Sequence, residues 1–113
     1  MAKKRRVLLF SDTHCGSLFG LAPPKYHAEW SPVHGLQKIL WQWFERTIKE
    51  LQPFDVCIHN GDAIDGKGKR GQASEHWSTD PGDQVDCAEE IFKFIAAPEI
   101  LMNVGDKLYC KYA

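Results

Sequence analysis

No apolar run in this sequence approaches the roughly 20 residues that cross a bilayer. Behind the basic start MAKKRRVLLF only the four residues VLLF are strongly apolar, well short of the roughly 7 to 15 of a secretory signal core. The expectation is a cytoplasmic chain with no membrane partner. There is also no Cys-x-x-Cys. Cys15, Cys57, Cys87 and Cys110 stand far apart, a spacing that suggests neither a zinc knuckle nor a thioredoxin-like motif and leaves reduced, mostly buried thiols as the expected state. Charge of neither sign dominates, since 14 Lys and Arg against 15 Asp and Glu leave a net charge of −1. Bulk electrostatics therefore argue neither for nor against a nucleic-acid partner. Internal repeats and low-complexity segments are absent, which removes repeat architectures.

What remains is ordinary globular material. The 113 residues, 43% hydrophobic and 26% charged, suffice for one small domain with a modest core. Positive charge is uneven. Lys3, Lys4, Arg5 and Arg6 form a solvated lead into the first strand, and Lys67, Lys69 and Arg70 lie in the Gly-rich DGKGKRG.

Hydrophobic patterning divides the chain into five elements. Val7 to Phe10 is a short β-rich run that suits a buried strand. A loop with Gly20, Pro23 and Pro24 follows, from about Gly16 to Trp30. SPVHGLQKILWQWFERTIKEL then reads as a helix, with Ser31 as cap, Pro32 at the first position, and Leu36, Leu40, Trp43, Phe44, Ile48 and Leu51 as its buried stripe. Trp41 and Trp43 are read as core residues, with covering an open surface as the alternative. Pro53 stops the helix. DVCIHNGD, Asp55 to Asp62, is a second strand running into Gly61. Asp80 caps a second helix before Pro81, with Val85, Ala88, Ile91, Phe92 and Ile95 as its stripe. EILMNV, Glu99 to Val104, is the third strand. The order β-α-β-α-β implies an α/β fold whose strands are parallel and joined by right-handed crossovers.

Ligands collect beyond the carboxyl ends of parallel strands, where Asp12 and His14 follow the first strand and Asp62 the second. On extended backbone, residues two apart point to one side, so Asp12 and His14 can hold one ion together. Asp62 follows Gly61, which permits a tight turn, and its carboxylate can bridge two cations. Asn60 is a neutral oxygen donor or supports the ligands from behind. Asp65 either supports them likewise or shapes its own turn. Cys15, lacking a partner cysteine, is read as structural. His27, His34, His59 and His76 are read as core or loop residues rather than ligands. Taken singly, Asp12, His14 and Asp62 would pass as turn residues. Asp-x-His at one strand end with Gly-Asp at the next, across a helix, points to a divalent metal.

SDTHCG followed by HNGDAIDG resembles the first two motifs of the calcineurin-like metallophosphoesterases, in the form seen in bacterial and phage members. The resemblance covers nearly the whole chain, as the N-terminal half of that family's α/β sandwich, which makes residues 1–113 a partial domain of this kind. It implies a phosphatase or phosphodiesterase with a two-metal site of manganese, iron or zinc, hydrolysing phosphoester bonds, nucleic acid among them, by a metal-activated hydroxide. Asp12 and His14 would bind the first metal and Asp62 would bridge both. Lys67, Lys69 and Arg70, directly after this motif, either overhang the site and grip phosphate or form a flexible, solvated loop.

The sequence departs from the family after the third strand. Where the family has Gly-Asn-His-Asp/Glu, this chain reads NVGDKLYC. If Gly105 is the motif glycine, Asp106 takes the Asn position as an oxygen ligand. Lys107 takes the His position, where it offsets phosphate charge but is a poor general acid. The alternative is a frayed chain end. The family's later histidine motifs have no counterpart, so the expectation is half of a binuclear site and an exposed sheet edge, completed by a missing C-terminal half or by self-association. The competing reading is a catalytically inactive remnant or a metal- or phosphate-binding module. An acceptor-aspartate phosphorelay domain is disfavoured by His14 beside Asp12.

Overall fold

The computed structural model describes residues 4–66 and 73–103. Three parallel strands alternate with two helices in the order β1 (Val7–Phe10), α1 (His34–Leu51), β2 (Val56–His59), α2 (Pro81–Ile95) and β3 (Glu99–Met102). Sheet order follows chain order, β1-β2-β3. Val7 pairs with Val56 and Phe10 with His59, while Val56 pairs with Glu99 and His59 with Met102. Single turns of 3-10 helix occupy Pro24–Tyr26 and Ala73–Glu75.

Alternation along a strand sends neighbouring side chains to opposite faces, and both helices cover the same one. Leu8 and Phe10 of β1 and Cys57 of β2 join Trp41, Phe44 and Ile48 of α1 and Ile91 and Ile95 of α2 in one core. Phe10 meets Phe44 and Phe92 at ring-centroid distances of 6.4 and 6.0 Å. The opposite face carries Leu9, Ile58 and Leu101 in register across the three strands, and Leu9 is 67% exposed. The expectation of a buried β1 is therefore corrected to a strand half-buried through Leu8 and Phe10, because both helices lie on that side of the sheet. Within the same residues β1 and β3 each have a single strand neighbour.

Helix α1 is shifted from its expected start and phase. Ser31 makes a turn of its own, its hydroxyl accepting from Val33 N–H at 3.2 Å, and the helix begins at His34 behind Val33. The buried stripe is Gln37, Trp41, Phe44 and Ile48, whereas Leu36, Trp43 and Leu51 are exposed. Apolar residues fill two adjacent stripes of this helix, so spacing alone could not choose between them. Gln37 belongs inside because its side-chain oxygen accepts from Ala28 N–H at 2.9 Å. Trp41 is core as expected and Trp43 is not. The helix stops at Gln52, whose extended backbone suits the following Pro53. The Gln52 amide donates to the carbonyls of Phe94 and Ile95 at the end of α2.

Helix α2 starts where its sequence signals place it, while Val85 and Phe92 of its expected stripe are only half-buried and Gln84 and Cys87 take the inner positions. Asp80 accepts from Gly82 N–H at 3.1 Å, with Pro81 in the first turn. Gln84, Cys87, Ala88, Ile91 and Ile95 are buried. Among the described residues no helix is long and apolar enough to cross a membrane.

Candidate metal centre

Beyond β1 and β2 the two segments keep pairing as loops. Asp12 N–H donates to Gly61 O at 2.9 Å, His14 N–H to Asp62 O at 3.0 Å, Cys15 N–H to Ala63 O at 2.9 Å, and Asp65 N–H returns to Cys15 O at 2.9 Å. This extension of the ladder holds segments 12–15 and 61–65 side by side at the carboxyl edge of the sheet. It is not extended backbone. Asp12, His14 and Asp62 have φ of 56°, 44° and 57°, in the left-handed region that non-glycine residues seldom enter. The expected alternation of Asp12 and His14 along extended chain is therefore corrected: their side chains converge because both positions turn left-handed. Such conformations persist where surrounding bonds over-determine them, and they concentrate at functional sites.

Asp12, His14 and Asp62 each present a ligand atom, and the three atoms lie within 4.8 Å of one another. Asp12 Oδ1 is 3.4 Å from His14 Nε2, and Asp12 Oδ2 accepts from the Ser11 hydroxyl at 2.7 Å. That hydrogen bond, with contributions from Asp62 and His14, holds the Asp12 carboxyl below its usual range.

Behind this group stands Asp65. His14 Nδ1 lies 2.9 Å from Asp65 Oδ1, and His76 Nε2 lies 2.5 Å from Asp65 Oδ2. A carboxylate only accepts, so His14 carries a proton on Nδ1, and Nε2, 3.4 Å from Asp12 Oδ1, is the atom that a second proton or a cation can occupy. This is the arrangement in which a carboxylate fixes the tautomer of a metal-binding histidine. The hydrogen bond to Asp65, opposed by burial and assisted by Asp62 and Asp12, raises the His14 pKa. A proton on Nε2 relieves the negative surroundings, and a divalent cation would do the same more completely.

His59 locks the two loops from below. It is fully buried; its Nδ1 accepts from Gly61 N–H at 3.1 Å. Nε2 must therefore carry the proton, which it directs to Thr13 Oγ1 at 2.9 Å, and the Thr13 hydroxyl passes on to Ala63 O at 3.1 Å. Burial lowers the His59 pKa, so the ring works as a neutral strut.

The structure brings together Asp12, His14 and Asp62, the three residues expected as ligands, and sets Asp65 against His14. Asn60 is exposed and accepts from the Asn103 side chain at 3.3 Å. His27 hydrogen-bonds Ala22 O at 2.7 Å, away from the group. His34 packs against His27. Cys15 is fully buried. Asp106 and Lys107, together with Lys67, Lys69 and Arg70, lie outside the described residues. His76 is the residue that sequence reasoning missed as a supporting partner. Its only signal was a histidine in a polar loop, since its approach to Asp65 depends on the Ser17–His76 bridge and on Trp77 N–H donating to Gly16 O at 2.8 Å.

Comparison with models of known protein families gives no match to this chain, and comparison with curated proteins gives none either.

Proposed function

We propose that the chain is a metal-dependent phosphoesterase of the calcineurin-like kind, acting on a phosphomonoester or phosphodiester. The observation that carries the reading is the ligand group Asp12, His14 and Asp62 with His14 Nδ1 held by Asp65. Two carboxylates and one imidazole are a hard, borderline donor set of the kind manganese, iron and zinc accept. A divalent cation held there supplies Lewis acidity, a water of lowered pKa and compensation for phosphate charge.

The chain's own residues divide the remaining work. Ser11 keeps Asp12 ionised by donating to it. Asp65 keeps the His14 proton on Nδ1, leaving Nε2 as the donor atom. Asp62 joins the second loop to the same space, and His59 with Thr13 prevents the loops from separating. Among the described residues this is the single group of at least three metal-capable side chains so arranged, which also favours a second reading, a module that binds one cation without turnover.

Cysteine chemistry suits a reducing, cytoplasmic setting. Cys15, Cys57 and Cys87 are buried free thiols, and burial pushes the Cys57 pKa up to about 11, far from the thiolate needed for redox chemistry.

The deciding experiment is a manganese titration by calorimetry, followed by hydrolysis of bis(p-nitrophenyl) phosphate. The proposal expects metal binding and metal-dependent turnover, both lost in Asp62→Asn. Binding of one manganese ion without turnover would select the second reading, and no binding of manganese, iron or zinc would refute both.

A further inference from the structure

A groove leads from the metal-ligand loop to the outer side of α1. Its inner part, a cavity of about 300 Å³, has Ser11, Asp12 and Thr13 together with Phe19, Leu40 and Trp43 in its lining. Phe19, Gly20, Leu40 and Trp43 also line an outer cavity of about 620 Å³, where Gln42 and Arg46 supply polar groups. The two cavities share Phe19, Gly20, Leu40 and Trp43 in their lining, and the inner one reaches Asp12.

Two exposed aromatic rings flank it. Phe19 is 59% and Trp43 54% exposed, although each lies next to core residues of its own segment. Phe19 is not a free loop residue. Leu21 N–H donates to Thr13 O at 2.9 Å, and Gly20 packs so closely on the ligand loop that a Cβ there would stand 2.3 Å from His14 O. The loop bearing Phe19 is thus fastened to the backbone between Asp12 and His14. Trp43 is held by the rigid middle of α1. Aromatic groups mounted on rigid elements beside a ligand centre form a platform on which flat rings stack.

We propose that this groove, resting on the phosphoesterase reading above, is the subsite for a flat aromatic group carried by the phosphoester, seated against Phe19 and Trp43 while the phosphate faces Asp12, His14 and Asp62. Phenyl phosphate and adenosine 5′-monophosphate share the required chemistry. The amide of Gln42 and the guanidinium of Arg46 at the outer end distinguish them, because only a base offers ring nitrogens to those donors.

Calorimetry on the manganese-loaded chain tests the idea with phenyl phosphate, adenosine 5′-monophosphate and methyl phosphate. The aromatic phosphates should bind at least about tenfold more tightly than methyl phosphate, in line with the usual worth of a ring stack. Trp43→Ala and Phe19→Ala should erase that advantage without changing manganese or methyl phosphate affinity. Arg46→Ala should weaken only the adenosine compound if a nucleobase is the natural occupant, and neither if a simple aryl group is.

A metal-free arm separates this proposal from the one on which it rests. Adenosine and phenol should shift the Trp43 indole N–H resonance in Asp62→Asn as they do in the parent chain. Failure of manganese binding with the indole shift retained would sink the phosphoesterase reading alone. Equal affinity for phenyl and methyl phosphate in a chain that binds manganese would sink the subsite alone. So would a dimer by sedimentation that Trp43→Ala dissociates and that binds no ring compound, since the groove would then be an interface between copies.

Discussion

Replacing Asp65 by Asn changes one oxygen to an amide and leaves the shape of the site alone, so its effect isolates what the carboxylate contributes. Asp65 is 15% exposed at its side chain and touches two imidazoles, His14 Nδ1 at 2.9 Å and His76 Nε2 at 2.5 Å. Asparagine can still accept from one of them, but its NH2 group would then face the N–H of the other. The preference for a proton on His14 Nδ1 weakens, and Nε2 becomes a poorer donor atom. Loss of such a supporting partner typically lowers metal affinity about 10- to 100-fold, or roughly 1.4 to 2.7 kcal/mol. A second signature follows from the same bond, which is the largest cause of the raised His14 pKa. In the parent chain protons compete with metal from a pH above the ordinary 6.5 downward; in Asp65→Asn that competition should begin at lower pH. Manganese affinity measured by calorimetry between pH 5.5 and 8.5 reads both effects. Unchanged affinity at pH 8 together with an unchanged release midpoint would refute the supporting role of Asp65.

Gly16→Ala should destabilise the fold by about 2 to 4 kcal/mol, because φ is 111° and the new Cβ would stand 2.3 Å from Gln84 Nε2. Gln84 is fully buried and bonded to Gly66 N–H, Gly66 O and Ser78 O, so it has nowhere to move; urea unfolding measures the loss, and a change below about 1 kcal/mol contradicts the packing. Asp80→Ala should cost about 1 kcal/mol through the lost cap on Gly82 N–H, read by thermal unfolding. The metal-free chain should show two opposed histidine effects on stability. His59, with its lowered pKa, binds protons better when unfolded, so its share of stability falls as pH drops below about 6.5. His14, with its raised pKa, binds protons better when folded, so its share is full below about 6.5 and is lost as pH rises through its folded value. His59→Phe should remove the acid-side loss and His14→Gln the neutral-side loss, each seen in unfolding free energy against pH.

Strand and helix identities were legible where local chemistry was unambiguous. Val7–Phe10 emerges with its expected bounds, and Asp80-Pro81 opens α2 as its capping signal indicates. Helix α1 was harder to place, since Leu36, Leu40 and Trp43 are as apolar as the stripe it buries. Phe10 of the sheet, Phe94 of α2 and the need of Ala28 N–H for Gln37 select the phase. The start of α1 moved because a serine hydroxyl can close a turn as readily as it caps a helix.

The sequence by itself determined the α/β order and the ends at which Asp12, His14 and Asp62 stand, because period, capping residues and position after a strand are local properties. Tertiary structure decided how those residues meet. Left-handed φ at all three positions follows from hydrogen bonds between segments nearly fifty residues apart, such as His14 N–H to Asp62 O. The pairing of Asp65 with both His14 and His76, and the seating of neutral His59 under both loops, likewise join groups that no window of sequence contains. Contacts of that kind are set by how the sheet edge closes and which groups burial forces to find partners, and they exist only once the chain has folded.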